Sequence, residues 1–473
     1  MMLPCLTIAL VALAMGGAYL LLGGSAPRHA RAIALVSVSV AFVSVLASVV
    51  LVMRSGQSEM ADALLPWLAI DAITGLPLAC FLGLLLLIVW MAPQEDTHGP
   101  SLAGKLLIGA GTTLAFSAVE PLLLAAGWWI TSLPMFRWKP VPDCTAHWLK
   151  WTLIAANVAM TGLVMMPSLA PDSSTGLAVF SATLFGLAVA LRHGLFPAHG
   201  GYLAAFDNGP LGPVKLLFNG QLAALLIVRA DEFLPHTTLH QGLNVLCIIA
   251  CLASLLTGLR AFTERKPRRV IALVLLSVSS SVLAGLASME ATGIAGALLI
   301  WLMVVVASSG LVAVMRSLEA RTDQAIDPRD HLGLGARAPR LAFFFLLFGL
   351  ALIGLPGTLG FVGEDLLFNG ALHHYPILGI ALPLATALNA IHLLRTYHVL
   401  FNGLQPKDVA AIPDALPRER WAMFACLAFL IVLGLIPTLA TSWSGPAAER
   451  IMAGYVTAPP TDLTILKEPS PCP

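Results

Sequence analysis

Long apolar runs separated by short polar stretches dominate this 473-residue chain. They fall at Leu3–Leu22, Ala32–Met53, Trp67–Met91, Gly104–Leu133, Trp148–Leu169, Gly176–Leu191 and Pro213–Val228. The second half adds Leu243–Leu259, Val270–Leu286, Ile294–Val314, Leu341–Leu355, Ile377–Leu394 and Trp421–Leu439. A helix rises ~1.5 Å per residue, so about 20 apolar residues cross a hydrocarbon layer of roughly 30 Å. Gly104–Leu133 is too long for one crossing and long enough for two, with Glu120 near the bend. The pattern predicts an all-α integral membrane protein of about fourteen transmembrane helices.

Two of these helices must be discontinuous. In Pro339–Leu372, Pro356 removes a backbone donor and pushes Leu355 out of helical geometry, and Gly357 follows. Glu364 and Asp365 lie one to two turns beyond the break. A carboxylate at that depth is costly and is a functional candidate. Gly176–Arg229 repeats the logic: a run ending in Arg192-His193 meets Phe196-Pro197-Ala198-His199, then a short amphipathic piece and Gly209-Pro210. Corresponding breaks in two halves point to inverted repeats with a path between them. The plainer alternative is that the prolines only kink structural helices. Ionisable groups within a turn or two of each break favour the functional reading.

Composition narrows the class. The chain is 58% hydrophobic and 11% charged, against about 25% charged in soluble proteins. Its mean hydropathy is +0.87. Lys plus Arg (26) balance Asp plus Glu (25), so net charge does not suggest a nucleic-acid partner. The distribution says more. With the N-terminus outside, the inside loops collect the basic clusters, including Arg28, Arg31 and Lys105 and the runs at 260–269 and 316–340. The outside loops hold little beyond Arg54 and Arg229. That asymmetry follows the positive-inside rule and predicts a multi-pass protein of the inner (cytoplasmic) membrane.

The N-terminal run lacks a basic flank and reads as a first membrane helix, not a cleaved signal. Ser317–Pro339 reads as a loop, and Thr457–Pro473 as a Pro-rich tail. The domain organisation is therefore one polytopic unit over 1–473, with its transporter-like core at about 104–400. The seven cysteines form no CxxC pair. Cys247 and Cys251, one turn apart in an apolar run, suit packing better than a metal.

At its breaks the chain resembles the antiporter-like membrane subunits of NADH:quinone oxidoreductase, membrane-bound hydrogenases and Mrp-type cation/proton antiporters, the M/N-type, with the M-type nearest. The resemblance runs from about Leu68 to Leu439. Leu355-Pro356-Gly357-Thr358 with Phe361-Val362-Gly363-Glu364 resembles the family's second broken helix and its acid. Phe196-Pro197-Ala198-His199 resembles the motif after the first. Pro267-Arg268-Arg269-Val270 resembles the basic loop opening the second half, and Trp67-Leu68-Ala69-Ile70-Asp71 the segment opening the third helix. Leu393-Leu394-Arg395-Thr396-Tyr397 and Gly434-Leu435-Ile436-Pro437 are similar to the last two helices.

The departures carry equal weight. Arg192 falls where the family usually has an intramembrane lysine. Trp129 replaces the glutamate of the family's Trp-Glu pair, and Glu120 lies too far from it to substitute. Asn219, Trp301, Val305 and Ser309 stand where histidines or a lysine are common. The family's midplane row of bases and acids should be interrupted near Trp129.

Passing a proton through the membrane needs groups that gain and lose it, with water between. A buried lysine can do this and an arginine cannot. Arg192 is thus expected to act on its neighbours through its charge, and Glu364 to carry protons. No strong titratable group is expected between them. The serines at 277, 279–281, 308 and 309 either hold water or form helix-packing surface, with packing favoured. His199 either relays protons or caps the broken helix. Lys215 either snorkels to the interface, the favoured reading, or enters the path. His398 is a candidate for the exit side near Glu364. Glu120 and Asp71, near membrane ends, are open between conduction and solvation or packing. His193, His373, His374 and His392 are expected at the interface.

The resemblance implies a proton-translocating membrane subunit of a respiratory NADH:quinone oxidoreductase-like or hydrogenase-like complex. The chain has no Gly-rich nucleotide loop, cysteine cluster or paired haem histidines, so no cofactor, redox centre or catalytic residue of its own is expected. Its partners would be other membrane subunits, protons or alternatively Na+, and the lipid bilayer. The alternative is a diverged subunit with weakened or lost pumping that serves as membrane partner of another complex, such as an inorganic-carbon uptake system.

Overall fold

A computed structural model describes residues 4–23, 27–55, 59–137, 146–166, 175–322, 333–403 and 413–456. Lys139, Cys144, Arg329, Lys407 and the tail at 457–473 lie outside the described residues, as do the side chains of Arg28, His373 and His374.

The first half runs through α1 (Cys5–Leu22), α2 (Pro27–Ser55), α3 (Gly75–Met91), α4 (Gly99–Ser117), α5 (Pro121–Arg137) and α6 (Ala146–Val164). Then come α7 (Thr175–His193), α8 (Gly200–Asn208), α9 (Leu211–Asn219), α10 (Leu222–Val228) and the short α11 (Ala230–Phe233). The second half holds α12 (His236–Arg260), α13 (Pro267–Leu286), α14 (Ala291–Thr322), α15 (Pro339–Leu352) and α16 (Leu359–His374). It closes with α17 (Pro376–Phe401), α18 (Pro417–Leu435) and α19 (Pro437–Val456). Several helices open on proline, whose missing N–H costs nothing in a first turn.

Among the described residues, seven helices are long and apolar enough to cross a bilayer, and eight if the α18–α19 pair, bent by 80°, counts as one span. The core centres on α14, whose apolar window is 94% buried. Gly296 on α14 faces Gly363 on α16 so closely that a Cβ on Gly296 would lie 2.7 Å from the Gly363 carbonyl oxygen. Small residues at such a contact let two backbones approach, which fixes α16 and with it Glu364.

Both expected breaks are present, and they share one geometry. At the end of α7, Gly194 is left-handed (φ +81°), and at the end of α15, Gly354 is too (φ +70°). The next amide in each, Leu195 or Leu355, donates to a carbonyl five residues back, Ala190 at 2.9 Å or Leu350 at 3.0 Å. Each leucine carbonyl then accepts from the amide three residues on, Ala198 or Thr358. These are glycine-capped ends in which the chain's own amides bond back to carbonyls of the last helical turn.

The structure corrects four sequence expectations. The run Trp67–Met91 is not one helix: Ala69–Asp71 is a strand paired antiparallel with Glu59–Ala61, and the helix starts at Gly75. Asp71 forces this, accepting the amide and hydroxyl of Thr74 at 2.5 and 2.6 Å. The run Pro213–Val228 breaks between α9 and α10, where Gln221 adopts φ 46°. The stretch read as a loop from Ser317 is helical to Thr322, because α14 extends past its apolar window. Beyond Leu435 the chain turns sharply into α19 and lies across the ends of other helices. There Trp443 Nε1 donates to the Ala72 carbonyl at 2.6 Å and the Tyr455 hydroxyl to that of Ile227 at 2.8 Å.

Candidate functional site

The interior polar groups gather around α7, α9, α13 and α14. Arg192, 3% exposed, ends α7 and reaches α5, donating to Ser132 Oγ at 2.8 Å and Thr131 Oγ1 at 2.6 Å. Its guanidinium carbon stands 5.4 Å from the centre of the Trp128 ring. An aromatic face and two hydroxyls thus solvate a cation that burial would otherwise penalise.

Lys215 does not snorkel. It is 4% exposed on α9 and donates to Ser308 Oγ on α14. Its amine turns toward α14, inside the packed helices. The same face holds Asn219, which donates to the Val305 carbonyl at 3.2 Å and Ser309 Oγ at 3.1 Å. Asn219 and Ser309 thus form a neutral pair in contact.

His193 is also inside, 6% exposed, with Nε2 3.1 Å from Ser279 Oγ on α13. Arg192, His193, Lys215, Gln221 and Ser279 line one cavity of about 20 Å³, enough for a single water. Gln221 Oε1 is buried without a protein partner. So the expected gap beyond Arg192 holds titratable groups. Sequence separation hid this: His193 and Ser279 are 86 residues apart, and Lys215 and Ser308 are 93 apart.

A second polar cluster leads on to the other break. Ser277 on α13 donates to the Ser254 carbonyl at 2.8 Å and accepts from Asn389 Nδ2 on α17 at 2.9 Å. One turn from Asn389, Thr386 donates to Glu364 Oε1 at 3.3 Å. Glu364 is half-buried on α16, and its carboxylate folds back into the space a side chain on Gly354 would need. Ser277 and Ser279 are two residues apart on a helix and so face opposite sides of α13. The two polar clusters therefore flank that helix.

The remaining candidates stand elsewhere. His199 is buried, with Nδ1 3.1 Å from the Pro197 carbonyl and Nε2 accepting from Arg260 at 2.5 Å; it makes no capping bond to α8. Pro197 and Pro356 lie in the breaks themselves, and Gly357 supplies a second left-handed residue (φ +88°). Glu120 is exposed in the α4–α5 turn. His398 is exposed and bonds Asn402 at 2.7 Å. It stands twelve residues beyond Thr386, roughly 18 Å along α17, so it is not beside Glu364. His392 is fully buried instead of interfacial, held to the Gly258 carbonyl at 2.8 Å. Trp129 Nε1 donates to Thr161 Oγ1 at 2.9 Å.

Comparison with known proteins places the chain in a family. The family model described as "NADH:quinone oxidoreductase/Mrp antiporter, TM" matches residues 151–389, which includes Arg192, Lys215 and Glu364. NADH-quinone oxidoreductase subunit N 2 of Aquifex aeolicus is 25% identical over 280 residues, 58% of this chain and 57% of that protein. The chain thus spans little more than half the length of this curated relative. NAD(P)H-quinone oxidoreductase chain 4 of Acaryochloris marina is 24% identical over 80% of this chain and 77% of its own length. A chain of respiratory complex I from Thermus thermophilus superposes with TM-score 0.79 at 22% identity, covering 95% of this chain and 99% of that one. A chain of an archaeal membrane-bound sulfane sulfur reductase gives TM-score 0.82 at 18% identity, covering 93% and 77%. Both share the fold.

Proposed function

This chain belongs to the NADH:quinone oxidoreductase/Mrp antiporter membrane family, and from that premise we propose that it moves protons across the inner membrane as one subunit of a larger complex. The reading is carried by Lys215, a titratable amine buried against Ser308 in the same cavity as Arg192 and His193. Arg192 stays charged, so it acts on its neighbours by repulsion and is not itself a carrier. Lys215 takes up and releases the proton beside it. Past α13, the Ser277–Asn389–Thr386 trail ends on Glu364, the acid of the second break.

We read fourteen crossings, counting α7 with α8, α9 with α10, and α15 with α16 as broken spans. Five spans from α4 to α10 and five from α12 to α17 then form two repeats, each broken at its fourth span. The shared glycine-cap geometry at Gly194 and Gly354 supports that equivalence. So does packing: α6 lies against α7 and α8 as α14 lies against α15 and α16. An odd number of spans per repeat inverts the second relative to the first. The N-terminus is placed outside. The partners are other membrane subunits that carry the redox chemistry, and the transported ion is H+, with Na+ as the alternative.

Trp129 favours a second reading. Its indole, bonded to Thr161, occupies the place of an acid and breaks the row on the α5 side. A subunit with weakened pumping, holding another complex such as an inorganic-carbon uptake system in the membrane, would keep the fold and lose that acid. Proton flux into vesicles containing the complex separates the two. Transport predicts flux that falls by about a hundredfold in Glu364→Gln. Absence of flux in both forms, with the complex still assembled, leaves the second reading.

A further inference from the structure

A second cavity also has Lys215 in its lining. It has about 50 Å³, room for a few waters, and lies between α3, α4, α9 and α14. Its polar lining is Asp96, Lys105, Lys215, Ser309, Arg316 and Ser317. Lys105 is 1% exposed, and its Nζ donates to the Asp96 carbonyl at 3.3 Å. Gly212 makes room for it: a Cβ there would lie 3.2 Å from Lys105 Cε. At the mouth, Arg316 reaches from α14 to a short helical turn at 94–97, pairing with Asp96 at 3.0 Å and Glu95 at 3.1 Å. The Glu95 side chain is 68% exposed and that of Asp96 is 23% exposed, so the acids step inward from the surface. The end of α3 and the starts of α4 and α9 share this face with the end of α14. It is the face that the positive-inside rule puts inside.

We propose that this cavity is the inside-facing water entrance that delivers protons to Lys215. Asp96 is the collecting acid and Arg316 the positioning residue that holds the 94–97 turn over the mouth. The inference rests on the transport reading above. In the step, a hydronium gives its proton to the Asp96 carboxylate. The carboxyl then passes it along water, past Lys105, to the lone pair of the neutral Lys215 amine, and Asp96 returns to carboxylate. Lys215 is the lining residue these two cavities share, which makes that side chain the hand-over point between the entrance and the Arg192 chamber.

Access can be tested separately from transport. Ser309→Cys, in a chain with its native cysteines replaced, puts a thiol on the cavity wall. Ag+, a thiol-reactive ion of nearly water size, is applied to either face of vesicles holding the complex, and blocked thiol is read by later alkylation. Ag+ should block the thiol from the inside face only. Arg316→Lys and Arg316→Gln should speed blocking by about tenfold, the loosening expected if Arg316 holds the mouth shut. In the unsubstituted background, Asp96→Asn should slow Glu364-dependent flux several-fold. Blocking that is absent, or equal from both faces, overturns the entrance even if flux is normal. Full flux in Asp96→Asn overturns the role of Asp96. A reachable thiol with no flux in the unaltered complex sinks the transport reading and reduces the cavity to a water pocket.

Discussion

The guanidinium of Arg192 lies over Trp128, 5.4 Å from the ring centre, while its nitrogens hold Thr131 and Ser132 on the same helix. Trp128 is fully buried, and α5 thus supplies an aromatic face and two hydroxyls to this cation. If Arg192 works through its charge, a lysine there keeps that charge and adds a titratable group. Arg192→Lys should sustain flux at or above the unaltered level, whereas Arg192→Met should lower it by about tenfold. Unchanged flux in the methionine variant would remove Arg192 from the path.

Lys215 offers a sharper contrast. Arginine at 215 can keep a bond to Ser308 but cannot give up its proton. Lys215→Arg and Lys215→Met should both cut flux by roughly a hundredfold. The arginine variant should also keep the unaltered thermal stability. Normal flux in Lys215→Arg would show a structural lysine.

Gly354 combines a left-handed backbone (φ +70°) with a site already filled by the Glu364 carboxylate. Gly354→Ala should cost about 1–3 kcal/mol and displace Glu364, lowering both melting temperature and flux. Gly357→Ala has the same backbone strain, but its Cβ would meet only Leu435, at 3.6 Å. It should lose stability and keep more of its flux. Thermal unfolding in detergent beside vesicle flux tests the difference.

Asp62 supplies the cap that α1 lacks, since Pro4 makes no side-chain cap bond. Its carboxylate accepts the amides of Leu6 at 2.8 Å and Thr7 at 3.1 Å and the Thr7 hydroxyl at 2.7 Å. Burial by itself would raise this carboxyl, but the Thr7 hydroxyl and the Leu64, Thr7 and Leu65 amides outweigh it and hold it below the usual carboxylate range. A depressed folded value stabilises above the unfolded value of about 4 and loses that stability as pH falls toward the folded value. Asp62→Asn should therefore cost about 1–3 kcal/mol at neutral pH and flatten the acid limb of the stability curve. A melting temperature unchanged at pH 7 would contradict it.

The sequence exposed both broken helices because proline and glycine act locally: Pro197, Pro356 and their neighbours break a helix wherever it packs. It missed the third break at Gln221, where no proline marks the strain, and α19, whose apolar and polar residues mix. It favoured the membrane interface for Lys215, and expected His193 and His392 there, because each sits near the end of an apolar run. Depth along a run says nothing of which way a side chain faces.

The chain's own pattern thus determined a many-helix membrane protein with two interrupted helices, an acid after the second and a basic residue before the first. Hydrophobic length and backbone breaks are properties of neighbouring residues, and they survive without a fold. Only the tertiary structure decided that Lys215, not a gap, adjoins Arg192, and that Ser277, Asn389 and Thr386 lead toward Glu364. The Lys215–Ser308 and Ser277–Asn389 bonds behind them join residues 93 and 112 positions apart, and only helix packing, helped by close glycine contacts such as Gly296 with Gly363, brings them within bonding distance.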